Sequence, residues 1–214
     1  MRKMYMCPNH TKGKLFTFCG LDGCGKTTMM RRLIADLEND NQIFITKQPT
    51  DFVRNSEIFR TYMDMPDHDS FDYRALSLLC ASDRVQHVNK MIVPAMKQGQ
   101  LVLSDRYFYS CLANLRARGF DNDQWIYEIA ESVVQPDIAF FFDVPVEMAV
   151  SRVRSRAAEK NRYIDIDLQY KLREEYLDIC RTNGGVLIPT ILSEEESYAF
   201  VKQEVRKVLN NDEC

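Results

Sequence analysis

The 214-residue chain sets 28 Lys and Arg against 31 Asp and Glu, a formal net charge of −3 with a pI near 5.7, and is 45% hydrophobic. At about 150 residues per domain, this length predicts one compact domain over residues 1–214, and 8 Gly with 7 Pro excludes collagen-like and low-complexity classes. The slight acidic excess argues against a nucleic-acid partner, and the lack of an apolar run of about 18 residues argues against a membrane span.

The seven cysteines are odd in number and form no CxxC pair, which predicts free thiols in a reducing cytoplasm. Residues 1–13 carry Arg2, Lys3 and Lys12 without the apolar stretch of a secretory signal, and read as an N-terminal extension. Leu15 to Cys19 predicts a short buried strand ending in a glycine turn, followed by a helix from about Lys26 to Glu38. Ile43 to Thr46 is the next strand. Helical periodicity is weak from Asn55 to Met63 and strong from about Tyr73 to Lys97, where Leu76, Leu79 and Cys80 share a face and Pro94 bends or ends the helix. Leu101 to Ser104 and Ile138 to Asp143 are strands, the second stopped by Val144-Pro145. Helices are expected from about Val146 to Ala158 and Leu168 to Arg181, then a strand at Val186 to Pro189 and a last helix from Ser193 to Leu209. Asn183-Gly184-Gly185 stops the middle one.

Strands alternating with helices predict an α/β fold, a three-layer α/β/α sandwich on a parallel sheet, because parallel neighbours need long crossovers. Ligands of such sheets bind at the carboxyl ends of the strands. Gly20-Leu21-Asp22-Gly23-Cys24-Gly25-Lys26-Thr27 stands at one of those ends, fits GxxxxGK[ST] and opens a helix, the context a P-loop requires. Its glycines let successive N–H groups face one concavity, to which the helix N-terminus adds its positive end. Lys26 is then the mobile charge for the β- and γ-phosphates, and the Thr27 hydroxyl a ligand for Mg²⁺. A glycine turn that binds nothing has no need of Lys26 and Thr27 in those slots. No Asn-Lys-x-Asp segment follows, as a G protein would require, and motor or transporter ATPases usually need a longer chain.

A second cluster follows the third strand, at Ser104-Asp105-Arg106-Tyr107 with Ser110 one turn on. Asp105 can hold a Mg²⁺-bound water or take a proton from the incoming nucleophile, and Arg106 can grip an anionic acceptor with its planar fork. The plainer alternative is a structural Asp105–Arg106 salt bridge. Asp83, Arg84 and His87 add a third group, on one flank of the long helix.

Taken together these segments resemble the thymidylate kinase family over most of the chain. The resemblance is carried by Gly20 to Thr28 with Asp22 inside it, Thr46-Lys47-Gln48-Pro49, Ala81 to His87, and Ser104-Asp105-Arg106-Tyr107 with Ser110. Pro136-Asp137, Phe142-Asp143-Val144-Pro145, the arginines Arg152, Arg156 and Arg162, and Arg173-Glu174-Glu175-Tyr176 continue it. It implies ATP-dependent, Mg²⁺-assisted phosphoryl transfer to a nucleoside monophosphate, by a cytoplasmic homodimer packed through helices. Asp22 would contact the acceptor's sugar hydroxyl, Arg106 its phosphate and Arg84 its base, with Lys47 and Asn114 on the same side. Asp105 would act near the transferred group. A lid at about residues 152–165 would carry Arg152, Arg156 and Arg162 over ATP, with Arg156 and Arg162 as the catalytic cations, since Gly23 and Cys24 leave the P-loop uncharged there.

Three departures from the family pattern fall on the acceptor side. Lys47-Gln48-Pro49 replaces Arg-Glu-Pro, Cys80 stands where an aromatic commonly stacks on thymine, and Asn114-Leu115 replaces Tyr-Gln. They imply a recut acceptor pocket, suited to a modified pyrimidine or another nucleotide-like monophosphate, in which Tyr107, Phe108, Tyr109 or Tyr73 supplies the missing ring. The remaining alternatives are a nucleoside or small-metabolite kinase, against which Lys47 and Arg106 argue as cations for an anionic acceptor, and a non-catalytic nucleotide-binding module.

Overall fold

The computed structural model describes residues 2–64 and 72–210. Among these residues five strands form one parallel sheet: β1 (Lys14–Gly20), β2 (Ile43–Lys47), β3 (Leu101–Asp105), β4 (Ile138–Asp143) and β5 (Val186–Pro189), in the order β2-β3-β1-β4-β5. Leu15, Phe16, Thr17, Phe18 and Cys19 are all fully buried. Successive side chains of a strand point to opposite faces, so a strand buried at every position must be covered on both, and the three-layer sandwich expected from the alternation of elements follows.

The coverings are helical. Helix α1 (Lys26–Leu37) packs on α10 (Glu194–Asn210), whereas α4 (Tyr73–His87), α6 (Phe108–Arg116) and α9 (Ile166–Asn183) form a second packed group. Between them in the chain lie α2 (Asp51–Arg54), α3 (Glu57–Asp64), α5 (Val93–Lys97), α7 (Trp125–Ala130) and α8 (Val146–Arg154). No described helix is long and apolar enough to cross a membrane.

Four local differences from the sequence expectations have physical causes. The weak periodicity at Asn55 to Met63 corresponds to α3, and a further short helix, α2, precedes it across Asn55 and Ser56. The long helix from Tyr73 runs on past Pro94, but the turn at Val88–Ile92 widens into a π-helix just before it. A proline lacks the N–H that the α ladder needs, and the wider turn absorbs the gap. Helix α8 stops at Arg154 rather than near Ala158: Arg156 is extended, and a 3₁₀ turn covers Ala157–Glu159. Helix α6 went unforeseen because Phe108 to Ala113 and Leu115 are all buried, which erases the one-sided pattern that marks a surface helix.

The carboxyl ends of β2, β3 and β1 come together by register. Lys47 pairs with Asp105, Phe18 pairs with Asp105, and Gly20 ends β1 beside Phe142 of β4. The phosphate loop and the Asp105-Arg106 turn are therefore neighbours, as the placement of both at strand ends requires.

Candidate active site

Gly23 has φ 81°, a left-handed conformation that suits glycine, and a Cβ there would meet the Ala149 carbonyl oxygen at 2.2 Å. Gly25, at φ 95°, turns the chain into α1. Lys26, at the start of that helix, is only 6% exposed: its Nζ donates to the carbonyls of Leu21 at 2.6 Å and Gly20 at 3.2 Å. The ammonium thus lies folded into the loop it is to serve. Thr27 and Thr28 are exposed on the first turn, and Cys24 is fully buried, so Cys24 offers its backbone alone to a ligand. Arg152 donates to the Thr190 carbonyl at 3.0 Å and lies 3.5 Å from the Gly23 carbonyl, bracing the loop from behind.

In front of the loop a cleft of about 890 Å³ opens, lined by Lys26, Thr27 and Thr28 on one side and by Lys47, Asp105, Arg106 and Arg84 on the other. The suspected Asp105–Arg106 salt bridge is not what holds these two residues. Arg106 has φ 70°, rare for a side-chain-bearing residue, and this turn sends the two side chains to different partners. Asp105 Oδ2 lies 3.7 Å from Lys47 Nζ, while Asp105 Oδ1 is buried with no hydrogen-bond partner. Arg106 donates to Asp22 Oδ1 at 2.5 Å, to the Gly20 carbonyl at 3.1 Å and to the Tyr176 hydroxyl at 2.9 Å.

Asp22 is the meeting point of the loop, the turn and the lid. Its second oxygen accepts from Arg162 at 3.0 Å, and Glu159 ties Arg162 and Arg156 together at 2.9 and 3.1 Å. Arg156 and Arg162 both line the cleft, and Arg162 touches the phosphate loop through Asp22. Burial works to raise the Asp22 pKa, but Arg106, Lys26 and Arg162 outweigh it and hold the carboxyl far below the usual carboxylate range. A folded-state pKa below the unfolded value of about 4 stabilises the protein in full above that value, and the contribution is lost as the pH falls from there through the much lower folded-state value. Urea midpoints of the wild type and Asp22→Asn are accordingly expected to differ at about pH 6 and to draw steadily closer as the pH falls below about 4. A gap that stays constant with pH would show that the charge of Asp22 plays no part.

Two cations that the sequence reading passed over also line the cleft, Arg54 on α2 and Arg60 on α3. Arg54 donates to the Pro49 carbonyl at 2.7 Å. Burial and Arg106 lower its pKa, and burial and Arg54 lower that of Lys47, the mark of like charges crowded together. No motif announces Arg54 and Arg60; their only signal is a run of basic residues on short helices just after a strand end.

The third group divides. Asp83 accepts from the Thr50 N–H at 2.7 Å and from its hydroxyl at 2.5 Å, and His87 is hydrogen bonded to Thr46 at 2.9 Å and Gln48 at 3.1 Å. These two hold the segment after β2 in place. Arg84, 3% exposed, faces the cleft beside Cys80, Ser77, Cys111 and Asn114. Asn114 donates to the Ser110 carbonyl and receives Arg118, whose guanidinium lies 3.8 Å from the Tyr73 ring centre. Of the rings expected to replace the missing aromatic, Tyr73 lines the cleft. Tyr107, Phe108 and Tyr109 instead are 0%, 1% and 4% exposed, because the first turn of α6 packs into the core.

Comparison with known proteins agrees with this geometry. The family model described as Thymidylate kinase matches residues 18–204. A probable thymidylate kinase of Thermococcus kodakarensis is 38% identical over 184 residues, covering 83% of this chain and 89% of its own. A probable thymidylate kinase of Pyrococcus horikoshii is 34% identical over 202 residues, 91% of this chain and 98% of its own, and a thymidylate kinase of a Geobacillus species is 34% identical over 196 residues, 88% and 93%. A phosphate loop, a facing row of cations and a lid arginine on one cleft are the parts a nucleoside monophosphate kinase requires, and the chain belongs to the thymidylate kinase family.

Proposed function

We propose that this cleft transfers the γ-phosphoryl group of ATP to dTMP, giving dTDP and ADP. One observation carries the reading: the Lys26 loop and the cations Lys47, Arg54, Arg84 and Arg106 face each other across one cleft. A second row of cations, running from the exposed Lys47 to the buried Arg84, suits an acceptor that arrives already charged, which argues against a nucleoside or other neutral hydroxyl acceptor. The unpartnered Asp105 Oδ1 and the lid arginines have no use in a module that merely holds ATP.

In this reading the loop N–H groups and Lys26 take the triphosphate. Arg106 and Arg54 grip the acceptor phosphate, and Asp22, released from Arg106 as that phosphate arrives, takes the sugar hydroxyl. Little covalent chemistry is asked of the protein in phosphoryl transfer; it must align the two phosphates and neutralise charge that spreads over the moving group. Arg162 is suited to the second task, because the lid already carries it to Asp22 at the mouth of the loop. Asp105 is placed to orient the attacking phosphate oxygen. Thr27, exposed, and Asp105, with a buried free oxygen, are the residues that would hold Mg²⁺, which supplies charge neutralisation on the triphosphate when bound. Leu78 and Met91, exposed on α4 and on the π turn after it, leave apolar surface for the homodimer the resemblance implies.

The test is ADP release from ATP and Mg²⁺ with dTMP as acceptor. Turnover that requires dTMP is the expected result. ADP formed at the same rate with and without any monophosphate would replace the kinase by a hydrolase, and no ADP with any monophosphate would leave a binding module.

A further inference from the structure

The base end of the cleft carries more donor capacity than thymine can use. Arg84 is 3% exposed; its Nη1 donates to the Cys80 carbonyl at 3.0 Å, while its Nε is buried with no partner. Arginine presents Nε–H and an Nη2–H side by side as a planar pair, and such a pair is satisfied by two acceptors at matching spacing. Thymine offers one acceptor on the relevant edge, O4, flanked by its methyl group. A 6-oxopurine offers two adjacent acceptors, O6 and N7, the pairing most often made by arginine with a base. Adenine and cytosine would turn an amino donor toward the same guanidinium.

The surrounding side chains leave room for the second ring. Ser77, Cys80 and Cys111 are all small, and Cys111 meets Ser77 at 3.5 Å rather than filling the cleft. Tyr73 lines the same cleft with the Arg118 guanidinium over its ring, so it supplies apolar wall to this end. Asn114 Oδ1 accepts from Arg118 at 3.2 Å and has a second lone pair, suited to the ring N–H that thymine and 6-oxopurines share.

We propose that the acceptor site takes 6-oxopurine nucleoside monophosphates, dGMP among them, alongside thymidylate. The proposal rests on the phosphoryl-transfer reading above and deepens it. Arg84 acts here as a specificity residue for the base, remote from the reacting phosphates.

ADP release measured with ATP, Mg²⁺ and dTMP, dGMP, dAMP or dCMP tests it. Both dTMP and dGMP are expected to turn over, with kcat/KM for dGMP about tenfold or more above that for dAMP and dCMP, the discrimination one bidentate pair provides. Turnover of dTMP with dGMP no better than dAMP overturns the proposal and leaves the thymidylate reading standing. Silence with all four overturns that reading itself. Arg84→Lys keeps the charge but lacks the paired edge, so the dGMP-to-dTMP ratio of kcat/KM is expected to fall about tenfold. Cys80→Phe, which fills the space for the second ring, lowers the same ratio should Arg84→Lys fail to fold. A merely structural Arg84 would depress both substrates alike, and a ratio unchanged in the folded variants overturns the assignment.

Discussion

Lys26→Ala is expected to lower kcat by a factor of about 10³ or more, the scale seen when a preorganised charge is removed from a developing anion. The Nζ group lies within the loop that would receive the triphosphate, held by the carbonyls of Leu21 and Gly20. Those bonds are exchangeable: when phosphate oxygens enter the concavity, the ammonium moves from neutral carbonyls to anionic oxygens, where attraction between opposite charges is added to the hydrogen bond. Alanine removes the ligand and leaves the loop's shape, which is set by Gly23 and Gly25 rather than by Lys26. The cost to folding is modest. Gly20's carbonyl keeps Arg106 as a donor and Leu21's keeps the Cys24 N–H at 3.4 Å, so neither is left unpaired and the loss is that of two hydrogen bonds, about 0.5–1.5 kcal/mol each. For a chain of this size that lowers Tm by several degrees, on the order of 2–4 °C per kcal/mol. ADP release and thermal melting on the same preparation separate the two effects. Turnover within about tenfold of the wild type would mean that Lys26 is a structural lysine and not a phosphate ligand.

How far the sequence discloses this site depends on whether a residue's role is local. The phosphate loop is legible because its spacing, its preceding strand and its following helix all sit within a few residues, and Gly23 and Gly25 take the left-handed conformations that spacing implies. The parallel sheet is legible for a similar reason, since each strand is a short apolar run bounded by turns. The union of Asp22 with Arg162 is not, because it joins residues 140 positions apart through a lid whose path no periodicity records. Adjacent residues mislead in the opposite sense. Asp105 and Arg106 look like a pair on paper, yet the left-handed backbone at Arg106 gives one to Lys47 and the other to Asp22. Tyr107, Phe108 and Tyr109 look available for stacking because they follow the site, but the first turn of α6 packs into the core and takes all three rings with it. Arg54 and Arg60 escape notice because a cation that serves an anion has the same sequence signature as one that serves water.

Arg106→Ala is expected to raise the KM for the monophosphate and lower kcat by about 10²–10³, with ATP affinity within a few-fold of normal. The argument is geometric. Arg106 reaches Asp22, Gly20 and Tyr176 from the end of β3, on the acceptor side of the cleft, and its fork occupies the place where a second phosphate would meet the first. Two complications belong to the substitution itself. A side-chain-bearing residue at φ 70° is strained by roughly 1–2 kcal/mol, which alanine inherits without the hydrogen bonds that offset it. Asp22 also loses one of two arginines, although Arg162 remains to neutralise it. Arg106→Lys controls for both, since it keeps the positive charge and discards the fork. If the fork grips the acceptor phosphate, the lysine variant recovers stability and ATP binding but little of the KM for the monophosphate. ATP affinity measured by nucleotide titration, beside steady-state kinetics in both substrates, distinguishes the cases. Equal loss of affinity for ATP and monophosphate would place Arg106 among the donor-side ligands, and full recovery by lysine would mean that charge alone is recognised at this position.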